Sequence, residues 1–173
     1  MRSDFYELLR RLLVLHEGIS LRAYKDPKGK YTIGVGHNLT DRGVPDEVAR
    51  RLTCSKEQAS TWLREDIDAT LPLLIDRLEE QYSLNFDVLY APAQLVLADM
   101  AFCMGVGRRG KGDGKDGVLD FERMIRRLKD HHGDGAAAEL LDSQFARDTK
   151  TRAVRLATML RTGQLPPELR RMA

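Results

Sequence analysis

Apolar side chains recur at helical spacing over most of the chain, with one short exception near the N-terminus. Residues 4–16 keep an apolar stripe at intervals of three and four positions, and Gly18 is a natural stop for a helix that begins at Asp4. Between residues 21 and 40 the spacing changes, and a turn rich in Pro and Gly at 26–29 leads into a strand-like stretch. This pattern predicts a small hairpin-based sheet of about three short strands.

Beyond the sheet the pattern predicts helices only. Ser55 and Gln58 have the spacing of a capping box that opens a long helix, which Pro72 is expected to kink or interrupt. The nearly continuous apolar run 92–105 predicts a central, buried helix. Three further helical segments are expected at about 120–130, 135–142 and 149–162. A helix, a little sheet and then helices define an α+β chain dominated by helix.

Composition and charge narrow the class of protein. With 173 residues, 42% of them hydrophobic and 31% charged, the chain fits one soluble globular domain or two small lobes that share a core. Basic residues gather at 123–171, which we interpret as solvated helix faces, or as a surface that approaches an anionic polymer. No nucleic-acid motif accompanies them, so we expect no nucleic-acid partner.

The N-terminal segment and the apolar runs exclude two kinds of membrane segment. The amphipathic N-terminus is broken by charges and is not a signal peptide, so we expect synthesis in the cytoplasm. No stretch approaches the roughly 18 apolar residues that a membrane span requires.

Cysteine and aspartate spacing predicts neither a disulfide framework nor a metal site. Cys54 and Cys103 lack ligand spacing and are expected to be buried free thiols. Asp113, Asp116 and Asp120 lie near a Gly-rich stretch, but they lack the spacing and the closing Glu of a calcium loop. We therefore interpret residues 107–117 as a solvated, mobile insertion, and we expect no metal and no cofactor.

Two carboxyl groups beside the predicted sheet are candidates for acid–base chemistry. Glu17 lies at the C-terminal end of the first helix, where the helix dipole disfavours a negative charge and favours the protonated acid. Asp26 lies in the hairpin turn, and Thr32 could hold a water between the two. One protonated and one charged carboxyl are what glycoside hydrolysis requires. Taken alone, a Glu before a helix-ending Gly and an Asp before a Pro are more often structural, so both interpretations stay open here.

The 25-residue run HEGISLRAYKDPKGKYTIGVGHNLT, residues 16–40, resembles the catalytic segment of the T4-type phage lysozymes. The resemblance implies a lysozyme-like α+β fold, with a small N-terminal β-hairpin lobe and a larger C-terminal helical lobe flanking a cleft. It further implies an inverting muramidase that cuts the β-1,4 bond between N-acetylmuramic acid and N-acetylglucosamine in peptidoglycan. On this reading Glu17 is the general acid, and Asp26 with Thr32 positions the attacking water. The implied separation of the two carboxyl groups is about 6.5–9.5 Å.

Looser matches along the rest of the chain imply further site residues. Asn38 and Phe102 match positions that, by this resemblance, are expected to bind the glycan strand. Three residues would support the site: Arg152, as the cationic partner of the catalytic acid, and an ion pair of His37 with Asp66.

The resemblance also implies how the chain is organised and used. It is expected to form one lysozyme domain over 1–173. Its parts would be a helix at 1–16 packing on the C-terminal lobe, a β-containing lobe at 17–54, an inter-lobe helix at 55–80 and a helical lobe at 81–173. We expect a monomer that waits in the cytoplasm and reaches the wall or periplasm through a membrane pore, in phage- or prophage-mediated lysis of the host.

Three departures from the family pattern keep a second function open. Cys103 stands where the family often has Gln, Phe145 where it has Trp and Asp99 where it has Asn. These changes are expected to remove hydrogen bonds that support the site. The alternative is therefore a catalytically weak or inactive module of the same fold, which binds peptidoglycan as a scaffold or localisation domain.

Overall fold

A computed structural model describes residues 3–108 and 117–170. It divides into two compact units, a β-containing unit of Arg10–Ala69 and a helical unit of Met1–Leu9 and Thr70–Ala173. The predicted α+β class, dominated by helix, is confirmed. The finer boundaries expected within a single domain stay a prediction.

The β-containing unit holds most of the first helix and the whole sheet. Helix α1 (Ser3–Glu17) ends where Gly18 adopts a left-handed conformation (φ 71°) and donates its N–H to the Val14 carbonyl at 3.0 Å. Asp4 lies inside the first turn of α1, so the predicted start of the helix at Asp4 is wrong. The predicted small sheet is confirmed as three antiparallel strands, in the order β1 (Ser20–Lys25), β2 (Tyr31–Gly34) and β3 (His37–Asn38).

One face of the sheet packs on a small apolar cluster. Ile33 of β2 is fully buried there, together with Leu39 and Ala49. Ala49 belongs to the short helix α2 (Asp46–Ala49), and the half-buried ring of Trp62 packs against the same cluster. The burial of Ile33 fixes the register, because a slip of one residue would turn its side chain to the other face.

The long helix α3 (Lys56–Tyr82) begins at a capping box and runs without a break. The predicted box is confirmed: the Gln58 N–H donates to Ser55 Oγ at 3.1 Å, and the Ser55 N–H donates to Gln58 Oε1 at 2.8 Å. The helix continues through Pro72, so an interruption there is wrong, whereas the alternative of a kink stays a prediction. Proline removes one backbone hydrogen bond, and burial of the neighbouring Leu71 and Leu74 holds the helix in place.

The helical unit is arranged around a buried helix. Within the described ranges, six helices follow α3: α4 (Ala91–Met104), α5 (Glu122–Lys129), α6 (Gly133–Leu141), α7 (Gln144–Thr149), α8 (Thr151–Thr162) and α9 (Pro167–Arg170). Short 3₁₀ helices occupy Phe86–Val88 and Val118–Asp120. Nine residues of α4 are buried, as the apolar run predicted. The helix expected at 149–162 is confirmed as α8, which begins two residues later, whereas α7 was not predicted; Lys150, at φ 43°, separates the two.

Helices α6 and α8 approach each other closely at Gly133. A Cβ atom built on Gly133 would lie 2.3 Å from the Leu160 carbonyl oxygen, so no larger residue fits without movement of the backbone. The same carbonyl accepts the Tyr90 hydroxyl at 2.7 Å. Backbone-to-backbone contact therefore sets the spacing of these two helices.

The Gly-rich insertion is described only at its ends. Residues 109–116, including Asp113 and Asp116, lie outside the described residues, so the interpretation of 107–117 as a solvated insertion stays a prediction. A Cβ atom on Gly117 would lie 2.7 Å from Gly107 Cα, which requires glycine at this closure. Over the described ranges, no helix is long and apolar enough to cross a membrane.

Several of the basic residues late in the chain are paired with acids on neighbouring turns and helices. Four exposed or half-exposed pairs are Arg123–Glu139, Arg126–Glu122, Arg155–Glu168 and Arg161–Asp134. Such pairs contribute little to stability individually. They support the interpretation of this charge as solvated helix faces.

Candidate active site

Glu17 stands at the junction between helix and sheet. It is the last residue of α1 and is half-buried. The left-handed Gly18 turns the chain at once, so that β1 begins at Ser20. The carboxyl group is thus carried by a rigid helix end, close to the last carbonyl groups of that helix.

Asp26 is fixed by the turn that joins β1 to β2. Its Oδ1 accepts the backbone N–H of Lys28 at 2.8 Å and that of Lys30 at 2.9 Å, and its own N–H donates to the Lys30 carbonyl at 2.9 Å. The Gly29 N–H closes the turn on the Asp26 carbonyl at 2.9 Å. Among the described residues, none donates to Oδ2. One carboxylate oxygen therefore orients the group, and the other is available to a water or a ligand.

Three polar side chains cross the sheet on the face opposite the apolar cluster. Tyr24 of β1 pairs with Thr32 of β2, and Thr32 pairs with Asn38 of β3. Directly opposed residues of an antiparallel sheet point to the same face. The Thr32 side chain is 5% exposed and its hydroxyl has no hydrogen bond to any residue that the structure describes. The Asn38 Oδ1 accepts the Asp41 N–H at 2.9 Å, which fixes the end of this row.

The pKa of Tyr24 is influenced by both candidate carboxyl groups. Partial burial raises the pKa of Tyr24 above its ordinary value, and the negative charges of Glu17 and Asp26 raise that pKa further. Glu17 and Asp26 therefore both influence the ionisation of Tyr24, whose direct strand partner is Thr32.

His37 and Asp66 lie on the other face and tie the sheet to α3. His37 Nδ1 is 2.8 Å from Asp66 Oδ2, so the expected pair of side chains is within hydrogen-bond distance. The sequence did not predict two further partners. Arg42 donates to the second oxygen of Asp66, and the imidazole stacks on Trp62, with ring centroids 4.9 Å apart and planes 12° apart.

Arg152 and Phe102 belong to the helical unit. Arg152 Nε donates to Asp99 Oδ1 at 2.9 Å, and its NH2 group donates to the Asp99 carbonyl at 3.3 Å, with both side chains buried. Asp99 was expected to remove a hydrogen bond, but its carboxylate accepts one from Arg152; the second acceptor is a backbone carbonyl, which any residue at this position would supply. Phe102 is half-buried in the last turn of α4. The pairing of Arg152 with Glu17 and the contact of Phe102 with substrate stay predictions.

The two remaining departures differ in their surroundings. Phe145 is buried and meets Phe121 edge-on, with centroids 6.4 Å apart, so it acts as a core residue. Cys103 is exposed, so the prediction of a buried thiol is wrong for it, because the last turn of α4 turns this side chain away from the core. Cys54 is half-buried.

The chemistry that this arrangement offers is proton transfer between carboxyl groups and water. A carboxyl at a helix end can donate a proton, and a turn-anchored carboxylate can accept one. In the part of the chain that the structure describes, no group of three His, Cys, Asp or Glu side chains is placed to hold a metal ion. The site is thus built from Glu17, Asp26 and a hydroxyl.

Comparison with known proteins agrees with this geometry. The family model described as phage lysozyme matches residues 14–155, which includes every residue of the site described above. The chain is 26% identical to probable T4-type lysozyme 2 of Dictyostelium discoideum over 171 residues, covering 91% of this chain and 95% of that protein. It is 29% identical to the pre-baseplate central spike protein Gp5 of Enterobacteria phage T4, covering 92% of this chain and 28% of Gp5. The chain therefore belongs to the phage lysozyme family of glycoside hydrolases, which degrade peptidoglycan.

Proposed function

We propose that the chain is a muramidase that hydrolyses the β-1,4 bond between N-acetylmuramic acid and N-acetylglucosamine with inversion at the anomeric carbon. The observation that carries the proposal is that two carboxyl groups, Glu17 and Asp26, both act electrostatically on Tyr24, the direct strand partner of Thr32. Two carboxyl groups in different surroundings are the minimum that this reaction needs.

The reaction divides the two proton transfers between the two carboxyl groups. Glu17 protonates the glycosidic oxygen as the bond from that oxygen to the anomeric carbon breaks. A water held by the Thr32 hydroxyl attacks the anomeric carbon from the opposite face and loses its proton to Asp26. The turn bonds at Asp26 Oδ1 support this role, since they leave Oδ2 to accept from the water. Release of both sugars returns the proton from Asp26 to Glu17 through solvent.

Substitution of the acid tests the proposal most directly. Glu17→Gln keeps the shape of the side chain but cannot donate a proton, and we expect kcat on purified peptidoglycan to fall by about 10²- to 10⁴-fold. Glu65→Gln, an exposed acid on α3 in the same unit, is the matched control and should keep wild-type activity. Mass spectrometry should find reducing-end muropeptides from the wild type, whereas anhydro products would indicate a lytic transglycosylase.

The stereochemistry is tested on the same preparation. Proton NMR of the first product should show the inverted anomer, and a retained anomer would overturn the inverting mechanism while leaving the hydrolase in place. Wild-type protein that sediments with peptidoglycan yet releases no muropeptide would instead favour the binding module. The exposed Cys103 in place of a family Gln is the observation on which that second candidate rests.

We further propose that this activity serves phage- or prophage-mediated lysis, with the enzyme made in the cytoplasm and admitted to the wall by a membrane pore. The match to phage lysozymes supports this role. Bacteria that produce the wild type should lyse when a pore-forming protein is added to the expression system, and bacteria that produce Glu17→Gln should not. Lysis without the pore would contradict the proposed route.

A further inference from the structure

Tyr24 belongs to the catalytic segment, but the mechanism above gives it no part. Its side chain is 39% exposed, whereas that of its partner Thr32 is 5% exposed. A partly exposed tyrosine whose ionisation is influenced by both carboxyl groups is placed to contact a ligand that binds there.

The sheet register determines which way this ring points. Tyr24 and Thr32 are direct partners, so their Cβ atoms are about 4.5–5.5 Å apart on one face. The next pair along the strands, Lys25 and Tyr31, points to the other face, where Lys25 Nζ lies 5.0 Å from the centre of the Tyr31 ring. Because a phenol is much longer than a threonine side chain, the Tyr24 hydroxyl stands farther from the sheet than the Thr32 hydroxyl. Tyr24 is therefore the outer donor of the pair and Thr32 the inner one.

The Tyr24 hydroxyl has no hydrogen bond to any residue within 3–108 or 117–170. Partly buried tyrosines usually find a partner for this group. The nearby charges of Glu17 and Asp26, together with burial, raise the pKa of Tyr24, so the phenol stays protonated and remains a donor at neutral pH. A neutral donor next to two carboxyl groups matches the hydroxyl and acetamido oxygens of an N-acetylated sugar.

We propose that Tyr24 is a further substrate-binding residue, whose phenol donates a hydrogen bond to an N-acetylhexosamine unit held between Glu17 and Asp26. The edge of the Tyr24 ring adds apolar contact to the sugar, while the Thr32 hydroxyl binds the water closer to the sheet. This inference rests on the proposed function, because it takes the sugar from that reaction.

Removal of the hydroxyl alone tests the proposal. Tyr24→Phe should raise KM for peptidoglycan about 3- to 10-fold, the effect of one neutral hydrogen bond, and leave kcat within about two-fold. Tyr31→Phe removes the same atom from the neighbouring pair on the opposite face, and it should leave both constants unchanged. An unchanged KM in Tyr24→Phe, or an equal rise in both variants, would overturn the proposal.

A binding measurement separates this inference from the proposed reaction. In a Glu17→Gln background, titration calorimetry with a chitin trisaccharide should give a Kd about 3- to 10-fold weaker when Tyr24→Phe is added. An equal Kd for the two proteins overturns the inference, whatever the turnover. If Tyr24→Phe weakens trisaccharide binding as expected but the wild type releases no muropeptide, the proposed reaction is wrong and the binding role of Tyr24 stands.

Discussion

The two units of this protein are held together by different interactions. Among the described residues, buried apolar side chains are fewer in the β-containing unit than in the helical unit, where α4 alone buries nine residues. The β-containing unit has in addition hydrogen bonds from side chains, as in the Asp26 turn, the Ser55–Gln58 box and the contacts of Asp66. The helical unit has backbone contacts so close that only glycine fits, as at Gly133.

The candidate catalytic residues lie in the unit with the smaller apolar core. Glu17, Asp26 and Thr32 all belong to Arg10–Ala69. We expect the β-containing unit to be sensitive to the loss of single polar groups and the helical unit to be sensitive to added volume. Two variants, each with a control, and one pH dependence test this difference between the units.

The largest effect is expected from Asp66→Ala. The side chains of Asp66 and His37 are 13% and 6% exposed, and removal of the carboxylate leaves His37 and Arg42 without this shared acceptor. Loss of one member of a largely buried pair costs about 3 kcal/mol in the free energy of unfolding. Urea unfolding measures the loss, and hydrogen exchange should show that the amides of β2 and β3 lose protection first.

The control for Asp66 is Asp68→Ala, an exposed acid two residues later on α3. Its effect should stay within about 0.5 kcal/mol. If both variants lower the free energy of unfolding equally, the polar contacts of Asp66 do not stabilise the β-containing unit. The expected sensitivity of that unit to the loss of single polar groups would then be wrong.

The next effect is expected from Gly133→Ala. The added methyl group would lie 2.3 Å from the Leu160 carbonyl oxygen, and overpacking of this kind costs about 2 kcal/mol. In the same helix, Gly135→Ala meets chiefly the exposed His132 side chain, which can move away, so that variant should unfold at wild-type temperature or slightly above. Calorimetric Tm values compare the two, and equal values would show that α6 and α8 can separate without cost.

The smallest effect concerns one tyrosine in each unit at alkaline pH. Burial raises the pKa of Tyr90, with a contribution from Asp134, and burial and the two site carboxylates raise the pKa of Tyr24. A folded pKa above the ordinary value of 10.0 means that the contribution to stability is complete below about pH 10 and is lost as the pH rises through the folded pKa. Tm measured from about pH 8 to pH 11 should therefore fall less steeply in Tyr90→Phe and Tyr24→Phe. A slope identical to that of the wild type in both variants would contradict this assignment.

Features encoded over a few neighbouring residues were predictable from the sequence. Gly18 ends α1, Ser55 and Gln58 cap α3, and the change of spacing after Gly18 marks the sheet. In each case the signal and the structure lie within one turn of the chain. The candidate site rests on the same kind of local signal, because its carboxyl groups and hydroxyl fall in one continuous segment, and the roles assigned to them stay predictions.

Features that depend on distant residues were not predictable. The Arg152–Asp99 pair joins positions 53 apart in the sequence, and the Arg42 contact with Asp66 spans 24. The break at Lys150 has no glycine or proline to mark it. Pro72 gave a clear local signal that burial of the surrounding helix overrides. Tyr24 was visible in the motif, but its role depends on the strand opposite.

The turn that anchors Asp26 restricts how this chain can vary in length. The bonds from Lys28 and Lys30 to one oxygen require four steps of chain from Asp26 to Lys30, the residue just before β2. A single inserted or deleted residue there would remove those donors and change the orientation of the Asp26 carboxyl group, although the strands on either side could still pair. Among active homologues of this protein, insertions and deletions should therefore occur elsewhere on the surface and should be absent from this hairpin.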